Sequence, residues 1–385
     1  MPTYARKDIS FVRGEGAWLW DDKNEKYLDA LSGIAVCGLG HAHPALAEVI
    51  AQQAATLLHT SNLYRIPQQE QLGDRLCSIT GMDRVFFANS GAEANEAAIK
   101  LARLHGHANN IHAPAIIVFN NSFHGRTMAT LSATGNAASH KGYDPLVPGF
   151  IHAPYDDLDA LQQLCEQHNN ISAIFAEPVQ GEGGIRVPNK EFIPALRELC
   201  DQHNLLLMLD EVQSGNARTG QWFAFQHSGV MPDVLTTAKG LGNGMPIGAC
   251  LVKNKARELF APGSHGSTFG GNPLACAVAL EVLNRTEHDG LLAHVRQLGD
   301  YLLSQLQQAL AGNPRVKEVR GLGLMLGVEL HHACPQLVDC ALDKKLLLNV
   351  TAGCVIRLLP PLIIDHEQAD RIVETVCACI NEIDI

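Results

Sequence analysis

The sequence predicts an α/β fold: a large, mostly parallel sheet buried on both faces, with a smaller α+β unit beside it. Three observations predict it. From about residue 80, short apolar runs alternate with amphipathic segments. The runs are continuously apolar rather than alternating, the mark of strands covered on both sides. And 385 residues, 46% of them hydrophobic and 18% charged, exceed one small domain and can bury a large core.

The elements follow in order. Phe11 to Trp20 alternates around Gly14 and Gly16, Asp21-Asp22-Lys23-Asn24 supplies turn chemistry, and Lys26 to Leu31 resumes the strand pattern. Helical spacing runs through Ala45-Leu46-Val49-Ile50 and again through Leu72-Leu76. The expected strands of the large sheet are Arg84–Phe87, Ala115–Phe119, Ala173–Phe175, Leu205–Leu209 and Ile247–Val252, with helices such as Glu93–Leu104 and Glu191–Cys200 between them. After Gly271-Asn272-Pro273 one long helical stretch is expected from Leu274 to about Leu310, then the segment Val316–Leu330, then Gly353–Leu362 and a helical tail.

Composition narrows the function. Asp and Glu outnumber Lys and Arg by 40 to 29, a net charge of −11, which gives no basic footprint for nucleic acid. No run of about eighteen apolar residues suggests a membrane span, and the stretch MPTYARKDISFVRGEG has no apolar core for a secretory signal. Eleven cysteines with no CxxC pair read as neither a disulfide framework nor a zinc spacing, and suit a reducing cytoplasm.

Three features carry chemistry. Asn89-Ser90-Gly91-Ala92-Glu93 follows a strand and opens a helix; small residues there leave backbone amides open to an anion such as phosphate, or form an ordinary capped helix. Asp210-Glu211 ends the strand Leu205–Leu209, where ligands of parallel sheets sit; a turn-capping carboxylate is the alternative. Lys239, framed by Thr236-Thr237-Ala238 and Gly240-Leu241-Gly242, is either a surface lysine or a Schiff-base lysine. Taken together, phosphate cradle, strand-end acid and framed amine fit pyridoxal phosphate: anion site, holder of the ring nitrogen, and covalent anchor.

The chain resembles the class III, fold-type I pyridoxal-phosphate aminotransferases almost end to end. The carriers are FVRGEGAWLWD, GHAHP, HTSNLY, NSGAEANE, FHGRT, EPVQGEGG, LDEVQSG, TTAKGLGNGMPIGA, GSHGSTFGGNPLA and VIRLLPPL. The resemblance implies a seven-stranded large domain over 61–272 and a smaller α+β domain assembled from both chain ends, 1–60 and 273–385. It implies that Ser90, Gly91 and Ala92 hold the phosphate of pyridoxal 5'-phosphate, that Phe123 stacks on its ring, that Asp210 meets the ring nitrogen and Gln213 the phenolic oxygen, and that Lys239 is the catalytic anchor. Thr268 is similar to a threonine that reaches the phosphate of the neighbouring subunit, which implies a homodimer; Ser267 beside it falls with the substrate-binding residues. Without the resemblance, Phe123 would read as a core aromatic and Thr268 as a loop hydroxyl.

Two arginines with apolar neighbours need anionic partners, which structural salt bridges could also supply. By resemblance Arg126 takes the distal carboxylate of the substrate and Arg357 the α-carboxylate of glutamate, while Glu182 matches a switch glutamate that neutralises Arg357 when the donor has no such carboxylate; an exposed loop carboxylate is the other reading of Glu182. The implied reaction moves the δ-amino group of N-acetylornithine to 2-oxoglutarate, giving glutamate, a step of arginine biosynthesis. Succinylornithine, succinyl-diaminopimelate, ornithine and 4-aminobutyrate are alternative donors; a racemase, a mutase and a catalytically silent scaffold are alternatives of other classes.

His41 and His43 are two potential ligands without a third, so no metal is expected. Cys377 and Cys379 read as packing residues on the helical tail, and Gly321-Leu322-Gly323 as part of a strand rather than a dinucleotide loop. The chain departs from the family at Ala217, where relatives usually carry glycine; this puts the loop geometry after Ser214 in question.

Overall fold

A computed structural model describes residues 1–382; the last three residues of the 273–385 unit lie outside the described residues. The large sheet has seven strands: β1 (Arg84–Ala88), β2 (Ala115–Phe119), β3 (Phe150–Ala153), β4 (Ile171–Ala176), β5 (Leu206–Asp210), β6 (Val234–Thr237) and β7 (Gly248–Val252). Their spatial order is β1-β7-β6-β5-β4-β2-β3. All pairings are parallel except those of β7, which runs antiparallel to both β1 and β6.

The continuous apolar runs are explained by the two cores they feed. Successive residues of one strand point to opposite faces. Ile117 and Phe119 join Leu161, Phe192 and Leu196 on one side, whereas Ile116 and Val118 join Ala98, Ile99 and Leu101 of the helix Gly91–Ala108 on the other. Two strands escaped the sequence pattern. Val234–Thr237 ends in two buried threonines, and Phe150–Ala153 is an edge strand with an exposed histidine, so neither reads as an apolar run.

Two four-stranded sheets make up the smaller part, and both draw on segments outside the large sheet. One pairs Phe11–Glu15, Trp18–Asp21 and Lys26–Asp29 with Leu346–Leu347; the other is built from Val316–Leu322, Met325–Leu330, Asn349–Thr351 and Val355–Leu358. Of the segment read as strand, Gly321 and Leu322 end the strand Val316–Leu322, whereas Gly323, at φ +57°, lies in the turn that follows. The long helix expected over Leu274–Leu310 is in fact two helices, Pro273–His288 and Leu291–Ala309. Gly290, at φ +65°, breaks the chain between them; apolar periodicity alone passes over such a break. The first of these helices has one face in each core: Cys276, Ala279 and Leu283 pack on the large sheet, Val278 and Val282 on the smaller part.

After Asp29 the chain makes one turn of left-handed helix: Ser32, Gly33, Ile34 and Ala35 all have φ between 46° and 66°. Each non-glycine residue there costs roughly 1–2 kcal/mol. Asp29 offsets the strain by accepting the amides of Leu31 (2.9 Å) and Ser32 (2.7 Å), and Ser32 Oγ donates to the carbonyl of Leu359 at 2.7 Å. The turn delivers Val36 to the rim of the main cavity. Among the described residues no helix is long and apolar enough to cross a membrane.

Candidate active site

Five strands of the large sheet end at one place. The carboxyl ends of β1, β2, β4, β5 and β6 lead into Asn89–Ala92, Phe123–Arg126, Glu177, Asp210–Gln213 and Ala238–Lys239, and all of these segments line a cavity of about 390 Å³. Open α/β sheets place their ligands in this position.

The expected anion cradle is the start of the eighteen-residue helix Gly91–Ala108. Ser90 caps it, its hydroxyl accepting from the Glu93 amide at 3.2 Å. Gly91 is required by close approach: a Cβ there would lie 2.7 Å from Cγ1 of Val212. The first amides of a helix have no partner within it, and Gly91 and Ala92 line the cavity at the positive end of the helix dipole.

Asp210 closes β5 and is buried, with partners on both oxygens. Oδ1 accepts the amide of Val212 at 3.0 Å, while Oδ2 accepts Nδ2 of Asn95 at 2.8 Å and Nδ1 of His124 at 2.7 Å. His124 is itself buried, stacked on Phe175 with ring centroids 4.3 Å apart. Glu177 accepts the amides of Phe123 (3.0 Å) and Gly181 (3.3 Å). Burial, reinforced by the charge of Asp210, holds its carboxyl well above the usual range. His124, Glu177 and Asp210 have ligand atoms within 4.8 Å of one another. Nδ1 of His124 is already bonded to Asp210, and both Glu177 oxygens to backbone amides, so the cluster works as a hydrogen-bonded support.

Lys239 follows β6 in the left-handed region, φ +44°, a conformation non-glycine residues hold mainly where surrounding structure imposes it. Burial lowers its ammonium to about 8; Arg357 adds to that push, and Glu182, Asp210 and Glu177 oppose it. Asn216 steadies the segment, its Nδ2 donating to Thr237 Oγ1 at 2.9 Å and to the Ala238 carbonyl at 3.1 Å.

Arg357, on the strand Val355–Leu358 of the smaller part, is fully buried and reaches across to the large one. NH1 donates to Glu182 Oε1 at 2.5 Å and to Gln213 Oε1 at 3.2 Å, Nε donates to Asn349 Oδ1 at 3.1 Å, and NH2 is buried without a partner. Glu182 is anchored in turn by Thr351, whose hydroxyl donates to its carbonyl at 2.5 Å. Arg126 is exposed, its guanidinium 5.4 Å from the ring centre of Phe123, at the edge of a second, polar cavity that also includes Glu182 and Thr351.

The structure thus brings together Ser90, Gly91, Ala92, Phe123, Arg126, Asp210, Gln213 and Lys239 in one cavity, with Glu182 and Arg357 joined to it through Gln213. It leaves Ser267 and Thr268 outside. Thr268 is exposed, and Ser267 Oγ accepts from the Gly270 amide at 2.9 Å. Sequence reasoning passed over Asn95, His124, Glu177 and Val212. The signal available was Asn95, one polar residue on the buried alanine face Ala94–Ala98, which needs a polar partner.

The residues fit pyridoxal phosphate. Open amides suit a phosphate, Phe123 and Val212 offer apolar walls for a flat ring, a buried carboxylate suits a protonated ring nitrogen, and a lysine with a lowered pKa suits an aldehyde.

The class-III aminotransferase profile matches residues 3–380. The chain belongs to the class-III aminotransferases. As a member of that family it is 53% identical over 381 residues to an acetylornithine aminotransferase of Nitrosomonas europaea, covering 99% of this chain and 97% of the relative. Against an acetylornithine aminotransferase of Aquifex aeolicus the identity is 47% over 372 residues, with 96% of each chain covered. Among solved structures, this aminotransferase chain superposes on an ornithine aminotransferase from Toxoplasma gondii with TM-score 0.95 at 34% identity, covering 99% of this chain and 92% of that one. It superposes on an acetylornithine aminotransferase from Elizabethkingia anophelis with TM-score 0.88 at 36% identity, covering 100% and 96%.

Proposed function

We propose that this chain is a pyridoxal-phosphate-dependent aminotransferase that moves the δ-amino group of N-acetylornithine to 2-oxoglutarate, releasing N-acetylglutamate semialdehyde and glutamate, as in arginine biosynthesis. The observation that carries the reading is the Glu182–Arg357 pair beside Lys239. Acetylornithine has no carboxylate next to its reacting amine, and a buried arginine facing it needs a protein anion; Glu182 at 2.5 Å supplies one. The unpartnered NH2 of Arg357 suits the α-carboxylate of glutamate in the second half-reaction, when Glu182 would release its hold.

The bound cofactor supplies an electron sink for the charge left on the carbon that loses a proton. The protein supplies the rest. Lys239 Nζ takes that proton from the donor's δ-carbon and returns it, as an amine near neutrality can at physiological pH. Asp210, fixed by Asn95 and His124, would hold the positive ring nitrogen, and Gln213, which lines the same cavity, would meet the phenolic oxygen. Arg126 binds the distal carboxylate.

We further propose a homodimer in the cytoplasm. Thr268 would reach the neighbouring phosphate from its exposed loop, which Asn62 ties down by donating to the carbonyls of Ser267 (2.9 Å) and Gly270 (3.0 Å). Leu63, Tyr64 and Phe269, 85%, 70% and 60% exposed, give the same region an apolar surface to cover. Eleven free thiols suit a reducing compartment.

The test is a panel of amines with 2-oxoglutarate as acceptor. The expected result is a kcat/KM for N-acetylornithine above those for succinylornithine, succinyl-diaminopimelate, ornithine and 4-aminobutyrate. Higher efficiency with ornithine would favour the reading that the Toxoplasma structure suggests.

A further inference from the structure

Arg126 and Arg357 stand on different parts of the fold, and one loop ties their supports together. The loop 177–186 leaves β4 and carries Glu182. On one side it is stapled to the segment 120–126, which carries Phe123 and Arg126. Buried Glu177 accepts the Phe123 amide at 3.0 Å and, through its other oxygen, the Gly181 amide of its own loop at 3.3 Å. Buried Gln180 donates from Nε2 to the Asn120 carbonyl at 2.9 Å. The two segments approach so closely that a Cβ on Gly183 would fall 2.8 Å from the carbonyl oxygen of Asn121. On the other side the loop is fixed to the sheet that carries Arg357. Arg320 donates to the carbonyls of Gly184 (2.6 Å) and Ile185 (2.8 Å), and Thr351 donates to that of Glu182 at 2.5 Å. Arg320, Thr351 and Arg357 all lie on that one four-stranded sheet.

We propose that Glu177 and Gln180 are positioning residues that set the span between Arg126 and Arg357, and so the length of the chain the site selects. The proposal rests on the reading of these two arginines as carboxylate binders given above. A dicarboxylate held at both ends is read by two guanidiniums, and a chain one carbon short or long gives up part of one charge-assisted contact. Such a reader discriminates only if its ends cannot drift. With its backbone held at Gly181, Glu182, Gly184 and Ile185, the loop acts as a rigid spacer and confines the switch to the Glu182 side chain. Both staples are made by buried side chains, where a lost partner costs most. A polar cavity of about 360 Å³ is lined from all three supports: Asn121 and Arg126, Glu182 and Gly183, Thr351 and Ala352.

The test is calorimetric binding of succinate, glutarate and adipate, unreactive dicarboxylates one methylene apart, to the cofactor-loaded protein. Glutarate matches the chain of 2-oxoglutarate and is expected to bind about tenfold tighter than either neighbour. Glu177→Gln sets an amide N–H against one of the two backbone amides, and Gln180→Leu removes the donor to Asn120 at similar side-chain volume. Each is expected to bring the preference down to about threefold or less, chiefly by weakening glutarate. A general loss of structure would weaken all three ligands alike and leave their ratio as it was, so the ratio isolates positioning. Two variants on separate contacts keep the test decisive if one of them fails to fold. Variants that keep the native ratio, or a native protein with no length preference, would overturn the proposal and leave the arginine reading standing. Native protein that binds none of the three would overturn that reading, and the proposal with it.

Discussion

In the proposed reaction Lys239 decides whether the site can start its chemistry, because only the neutral amine attacks an aldehyde. A lysine lowered to about 8 is mostly charged at pH 6 and mostly neutral at pH 9. The rate at which cofactor-free protein captures pyridoxal phosphate, read by absorbance, should therefore rise about tenfold per unit below pH 8 and level off above it. A rise continuing past pH 10 would mean an ordinary exposed lysine. Glu182 is the second deciding residue. Removing it in Glu182→Ala frees the Arg357 guanidinium for the glutamate carboxylate and leaves it uncompensated for acetylornithine. The ratio of glutamate to acetylornithine turnover should rise by roughly ten- to a hundredfold, the worth of one charged hydrogen bond of roughly 1.5–3 kcal/mol; an unchanged ratio would count against the switch. Both side chains were legible as motif members, but the lowered pKa comes from burial and the 2.5 Å pair joins residues 175 positions apart, and both exist only in the folded chain.

At the scale of elements, the cradle depends on how closely β7 and the turn before Gly91 can approach. A Cβ on Gly248 would fall 2.3 Å from the backbone carbonyl oxygen of Ser90, an atom that cannot swing away. Gly248→Ala should cost about 1–3 kcal/mol in urea unfolding and weaken cofactor affinity, since the displaced segment carries the open amides. Unchanged stability and affinity would show that the turn can shift freely. The loop at Ala217 is a related case. Asn216 and Ala217 both lie at positive φ, 56° and 69°, so the alanine occupies a conformation that glycine holds more easily, and its methyl is buried in the core of the smaller part. Apolar periodicity located most of the strands and helices. It could not see Gly290 dividing a helix, nor Thr236 and Thr237 as strand residues, because a backbone break and a polar but buried strand both depend on what packs around them.

For the whole molecule, the proposed homodimer would bring Thr268 of a second copy to each site. Sedimentation should give twice the 41.6 kDa chain mass at micromolar concentration, and an aspartate at Leu63 in place of leucine should lower both the mass and the cofactor affinity, because Thr268 shares that surface. A fully active monomer would overturn the assignment of Thr268. Sequence by itself determined the layered α/β architecture and the family, and it pointed to Lys239, Asp210 and the helix start at Ser90, Gly91 and Ala92, which line one cavity, because each rests on local pattern: continuous apolar runs, helix-start chemistry, ordered motifs. Tertiary structure alone decided the rest. That Asn95 and His124 hold Asp210, that Arg357 crosses from the smaller part to Glu182, and that His41 meets Asp29 all follow from chain segments folded against one another. Burial and distance set the strength of a charge or a hydrogen bond, and neither exists until the chain has closed on itself.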